Sequence, residues 1–394
     1  MKKGLLLSVV ASGFIFAGGN IAPVQPVAQP QVAPAACDFW GTLAARYDDN
    51  KLGESANKWG KEDNVATGAI VLGVEKNLGN GFGFGAELAG LVTTDGEFKN
   101  ANERAELSQA YLTYKNGNTA VKIGRQALPK SLSPWAWSDR TAGVIDRAFN
   151  GIVVVNTDLA DTTLVGAWVH SFTDTTGATR IDQTNGKKLN RGLLMLTAQY
   201  KGIANTTLTG SIYYVPKFLT SGKSAISTWA SAETKAGNVD LGLQVAYAKN
   251  KGTKATTGVA AYVGTNFNGL DAKLTLAYLK SGATPLALGG TNAFWGNSFA
   301  GTINGDIADL GSKQKIARID LGYKIAGYGK VYGGVAYDKY SSSATDKKLA
   351  ARLGYKFKIG SVDANVEYRY LKTTPTNGAA VKDQKVRVEG IYKF

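Results

Sequence analysis

Cysteine and histidine are nearly missing from this chain: one of each in 394 residues, with two methionines. One cysteine excludes an internal disulfide framework, and the shortage of both residues argues against a metal centre or a cofactor. The lone histidine, His170, stands beside Ser171. On a strand those two side chains point to opposite faces, so no pair of nucleophile and base is nominated and no enzyme is expected. Long apolar runs are missing too. Mean hydropathy is −0.13, and beyond residues 4–17 no stretch suits a spanning helix. That excludes a helical membrane protein but not a barrel, whose strands each turn one face to water. Acidic residues fall short of basic ones, 30 against 45, for a net charge of +15. The basic residues stand singly rather than in clusters, so the surplus does not point to nucleic acid.

Against these shortages the chain is rich in glycine, with 48, and in aromatics, with 18 tyrosines and 7 tryptophans. From Lys315 to Phe394 it falls into four segments in which apolar and polar positions alternate. One apolar face reads Leu349, Ala351, Leu353, Tyr355, Phe357, and the next reads Val362, Ala364, Val366, Tyr368, Tyr370. Lys348, Arg352, Lys356, Asp363, Glu367 and Arg369 fill the opposite faces. Charge on one face and only apolar groups on the other suit a wall with lipid outside and water inside. The fold class expected is all-β, a transmembrane antiparallel β-barrel.

Three regions follow. Residues 1–19, with Lys2 and Lys3 before a short apolar stretch and the small residues Ala17, Gly18 and Gly19, have the form of a secretory signal peptide. Residues 20–37 hold four of the nine prolines and read as an extended periplasmic leader. Cys37, at its end, has no partner and reads as an incidental thiol. Residues 38–394 form the barrel.

Within it about eighteen strands can be marked, an even number as single-chain bacterial barrels require. Their connections alternate long and short. The short ones lie at 77–81, 115–118, 158–161, 201–205, 235–238, 266–269, 326–329 and 358–361, all rich in Gly and Asn as hairpins with positive φ demand. Short turns on one side and long loops on the other are the pattern of outer-membrane barrels, with both chain ends on the periplasmic side. The remaining prolines, Pro129, Pro134, Pro216, Pro285 and Pro375, are expected in the long loops. Tyr47, Tyr114, Tyr247, Tyr278, Tyr337 and Tyr392 end apolar rows, as girdle residues do. The strands at 65–77 and 161–172 are apolar on both faces, which leaves their register open.

A family resemblance enters at Val121-Lys-Ile-Gly-Arg-Gln126, the Ser138-Asp139-Arg140 of the following loop, and Phe149-Asn-Gly-Ile152. With Glu106-Leu-Ser-Gln-Ala-Tyr-Leu112 upstream and the leader Gly18-Gly-Asn-Ile-Ala-Pro23, these resemble OprD-like outer-membrane porins, and among them the major porins of Campylobacter and related ε-proteobacteria. The motifs cover roughly a tenth of the chain. The resemblance implies an eighteen-stranded channel for small polar solutes and ions, narrowed by a third external loop folded inward, and a homotrimer.

The residues expected to border the narrowing are Arg125, Lys130, Asp139, Arg140, Asp146 and Arg147, because opposed charges across a narrow wet bore filter polar solutes. Pairing among them merely to fix the loop is the competing role. Arg46, Arg318, Arg352, Arg369 and Arg387 are expected on the inward wall, and the basic surplus suggests a modest preference for anions. Related porins favour cations, which argues the other way. Tyr392 and the terminal Phe394 look like the signal read by the β-barrel assembly machinery, and the outer surface would meet outer-membrane lipid and lipopolysaccharide. Three other classes compete. A structural or adhesive barrel without conductance would have the same walls. A TonB-type transporter would need a plug domain ahead of a first strand that begins near Phe39, and a soluble β-sandwich does not explain the rhythm of the loops.

Overall fold

In the computed structural model the described residues are 37–53, 64–95, 101–138, 140–141, 145–173, 180–181, 192–218, 223–280, 286, 288, 293–295, 313–341 and 345–394. The signal peptide and nearly all of the leader lie outside them. Strands β1 (Asp38–Leu52), β2 (Val65–Gly79), β3 (Phe82–Asp95), β4 (Ala101–Asn116) and β5 (Thr119–Gln126) open the wall. Two short pieces, β6 (Arg140–Thr141) and β7 (Ile145–Asp146), pair with each other inside the next connection. The wall resumes with β8 (Phe149–Asn156), β9 (Thr162–Thr173), β11 (Leu193–Tyr200) and β12 (Thr206–Val215), with β10 (Arg180–Ile181) pairing beyond β9. It continues through β13 (Ala225–Ala236), β14 (Val239–Asn250), β15 (Thr256–Phe267), β16 (Leu270–Lys280) and β17 (Lys313–Ile325). β18 (Gly329–Ser341), β19 (Thr345–Ile359), β20 (Val362–Pro375) and β21 (Val381–Lys393) complete it.

Each wall strand pairs antiparallel with its neighbours, and β21 returns to β1, so eighteen strands close into a barrel with no free edge. Closure satisfies every strand's backbone polar groups where lipid offers none. At the seam Gly41 N–H donates to Phe394 O at 2.8 Å and Phe394 N–H donates to Gly41 O at 3.1 Å.

The alternation sorts the faces. On β11 Leu194, Leu196 and Tyr200 are exposed outward, while Leu193, Met195, Thr197 and Gln199 are buried inward. All eight short turns hold a residue at positive φ, among them Asn80 (52°), Asp161 (53°), Asn205 (55°) and Asn268 (49°). Asparagine and aspartate are the non-glycine residues that tolerate that conformation best, and in the first turn Asn77 also accepts from Gly79 N–H at 2.8 Å. Both strands of open register are apolar inside for a reason. Val71 of β2 packs with Ala89, Trp40 and Leu91, and Val165 and Val169 of β9 join a large cluster inside the bore.

One proline departs from expectation. Pro375 is the last residue of β20, opposite Thr345, where the register shifts before Lys347. A proline is tolerated there because the ladder is already ending. Pro285 lies outside the described residues.

Candidate channel constriction and lumen wall

After β5 the described residues 127–138 leave the wall and pack inside the bore. The root of this segment is built from the residues that carry the sequence motif. On β4 the register against β3 shifts at Glu87/Leu88, so Ser108 and Gln109 both face inward and are buried. On the neighbouring strand, opposite Tyr111, Gly124 takes φ 127°, where an added Cβ would lie 2.3 Å from Ala110 O. A second shift sits at Asn150/Gly151 between β8 and β9. Three irregularities side by side bend the wall where the segment departs.

From there the segment docks on inward residues of β11–β13. Trp135 is fully buried; its backbone N–H donates to Tyr213 Oη at 3.2 Å and its indole Nε1 to Thr228 O at 3.4 Å. Its ring meets Trp229 edge-on, with centroids 4.8 Å apart. Ser133 Oγ donates to Ala136 O at 2.6 Å, and Gln199 Nε2 donates to Ser131 O at 3.3 Å. Leu128 and Ala136 are buried with Met195 and Val215 in the same cluster.

The predicted border residues take several positions. Arg125 is bound to the wall, donating from Nε to Asn150 Oδ1 at 3.1 Å and from Nη1 to Leu107 O at 2.8 Å. Lys130 holds its ammonium 5.0 Å from the Trp137 ring centroid, and the Arg147 guanidinium lies 5.6 Å from that of Phe172. Arg140 and Asp146 are register partners in the small hairpin. Asp139 lies outside the described residues.

The five predicted wall arginines all face inward and are all paired. Arg318 and Arg352 meet on Asp320, Nε of the first at 2.6 Å and Nη2 of the second at 2.9 Å. Arg369 pairs with Glu367. Arg387 binds Asp48 through two nitrogens at 2.7 and 3.0 Å, while Arg46 lies 3.6 Å from Asp48 and 4.0 Å from Glu389. Much of this wall surrounds a cavity of about 850 Å³ on the turn side of the bore, bordered by Glu233, Asp240, Lys273, Asp320, Arg352 and Lys356.

Sequence reading missed a second intrusion. The connection from β16 to β17 is one of the long loops, and its described residues Leu286, Leu288, Ala293, Phe294 and Trp295 are apolar and pack inward. Trp295 N–H donates to Gln244 Oε1 at 3.0 Å, and its ring meets Tyr262 and Trp229 edge-on. The available signal was a set of large apolar residues, Met195, Tyr213 and Trp229, on faces that should have been polar. His170 points outward with its ring edge-on to that of Trp168, and no group of three metal-binding side chains occurs among the described residues.

A closed barrel, apolar outside and charged within, with segments docked inside its bore, has the fold of a porin. No model of a known protein family matches the chain, and no curated protein does. Solved structures do. OpdO of Pseudomonas aeruginosa is 14% identical and superposes with a TM-score of 0.70, covering 91% of this chain and 97% of its own. OpdQ of the same organism is 12% identical, with a TM-score of 0.71 and coverages of 91% and 97%. A BenF-like porin of Pseudomonas fluorescens is 13% identical, with a TM-score of 0.69 and coverages of 91% and 99%. The resemblance read from the motif therefore holds at the level of fold, an OprD-like barrel of eighteen strands.

Proposed function

We propose that this chain is an outer-membrane porin through which small hydrophilic solutes and ions diffuse passively, narrowed by segment 127–148. The observation that carries the reading is Trp135, buried to 0% against Tyr213 and Trp229 on the inner wall, so that the segment occupies cross-section a solute would otherwise use. Beneath it the paired arginines and carboxylates offer a wet, charged path. Lys130, Asp139, Arg140, Asp146 and Arg147 belong to the same reading as the charged margin of the opening, and Arg125 as its anchor. The short turns and both chain ends face the periplasm, the exterior meets lipid and lipopolysaccharide, and the porin assembles as a homotrimer. The motif at Val121–Gln126 and Phe149–Ile152 supports the ε-proteobacterial branch.

Conductance of the purified protein in a planar bilayer tests the reading. Stepwise ion currents are expected, and a silent bilayer would overturn it. A structural or adhesive barrel has the same exterior, and liposome swelling with small sugars separates the two, since only a pore admits the sugar.

A further inference from the structure

The side chain of Gln109 joins two things that the wall otherwise keeps apart. Its Nε2 donates to Glu87 Oε2 at 3.1 Å, and its Oε1 accepts from the N–H of Ala127 at 3.0 Å. Only one orientation of the amide fits, because a carboxylate can only accept and a backbone N–H can only donate. Ser108 Oγ donates to the other Glu87 oxygen at 2.5 Å, so the carboxylate is gripped from both sides. Glu87 is 2% exposed and Gln109 9%. Ala127 is the first residue after β5, where the inserted segment begins. The register shift on β4 is what makes the arrangement possible, since strict alternation would turn Ser108 or Gln109 outward.

We propose that Gln109, oriented by Glu87 and Ser108, is the positioning residue that sets how far segment 127–148 stands off the wall, and with it the cross-section open to solutes. The proposal rests on the porin reading and adds to it the origin of the channel's size. Beyond Ala127 the segment is held by its own turn, Leu128 N–H to Ser138 Oγ at 3.0 Å, and by Trp135. A displacement at the root therefore tilts the whole segment rather than fraying it.

The test is single-channel recording of wild type, Gln109→Glu and the double variant Glu87→Gln/Gln109→Glu. Gln109→Glu sets two buried carboxylates against each other, which like charges at this range resist. The double variant restores a donor facing an acceptor, with the roles exchanged. A shifted, noisier conductance is expected for the single variant and a return to the wild-type level for the double. If the single variant conducts as wild type does, or the double stays as disturbed as the single, the proposal falls while the porin reading stands. A wild-type protein that carries no current brings down both. Should Gln109→Glu give no heat-modifiable barrel, Ser108→Ala removes one of the two donors to Glu87 and is read the same way, an unmoved conductance again overturning the proposal.

Discussion

Three inward tyrosines lie flat on the wall, each over a glycine of the neighbouring strand. Cβ atoms added at Gly85, Gly242 and Gly354 would lie 2.3, 2.2 and 2.3 Å from the rings of Tyr111, Tyr262 and Tyr332. Each hydroxyl then reaches a carboxylate one strand further on: Glu75 at 2.5 Å, Glu233 at 2.8 Å and Glu367 at 3.0 Å. Lys122 and Lys273 complete the first two, each with its ammonium 3.4 Å from the ring centroid. Glycine under an aromatic ring is a known device for holding a curved sheet in register. Here it also keeps a bulky ring from standing up into the bore. Gly242→Val should lift Tyr262 off the wall, costing about 1–3 kcal/mol by overpacking. The melting temperature of the heat-modifiable form and the open-channel current should both fall, and a variant unchanged in both would show that the ring does not depend on the glycine.

Among elements, the inserted segment is the one on which the proposed narrowing rests. Its place along the chain and its charges could be read locally, as a long connection with two prolines between two alternating strands, while its inward fold was only what the family resemblance implied. Its docking face could not be read that way. Trp135 and Tyr213 are distant in sequence, and nothing in either neighbourhood names the other. Of the inner apolar rows, that of β9 was visible as a strand apolar on both sides while those of β11–β13 went unmarked, and the partner that makes sense of them is a loop. Trp135→Ala should remove about 3–5 kcal/mol of docking, as for other fully buried tryptophans. Conductance should rise and flicker as the segment comes loose, and a quiet wild-type current from the variant would mean that the hairpin and the Gln109 root suffice. The motif that carried the family resemblance also gains a physical meaning, since Gly124, Arg125, Gln126, Asn150 and Gly151 build the root of this segment.

For the whole molecule the critical step is closure, because β1 and β21 stand at opposite ends of the chain. Asp48 concentrates charge at that seam, accepting from Arg387 and lying 3.0 Å from Lys385, whose side chain is 1% exposed. Breaking a buried pair by removing one partner costs about 3–5 kcal/mol, and less where lumen water screens it. Asp48→Asn should lower the temperature at which the folded form gives way to the slow-migrating unfolded band, whereas an unaltered transition would assign closure to the backbone ladder alone. Deleting Phe394 removes its two backbone bonds to Gly41 and the ring stacked 5.9 Å from Tyr392. Less folded barrel should reach the outer membrane. Assembly at the wild-type level would remove any recognition role for that residue. The charge surplus leads to a modest anion preference, read from the reversal potential in a salt gradient, and a clear preference for potassium over chloride would reverse that reading.

Strand number, turn sites and the division of inside from outside were all written in one dimension. Each depends on a period of two or on the φ preference of one or two residues, and both are properties of neighbouring positions. The way the bore is filled was not. The second intrusion around Trp295, the grip of Gln109 on Ala127 and the pairings of Arg352 with Asp320 and of Arg387 with Asp48 exist only once the strands have assembled. They join residues that the chain keeps from 18 to 339 positions apart, and only the folded sheet brings such residues within hydrogen-bonding distance.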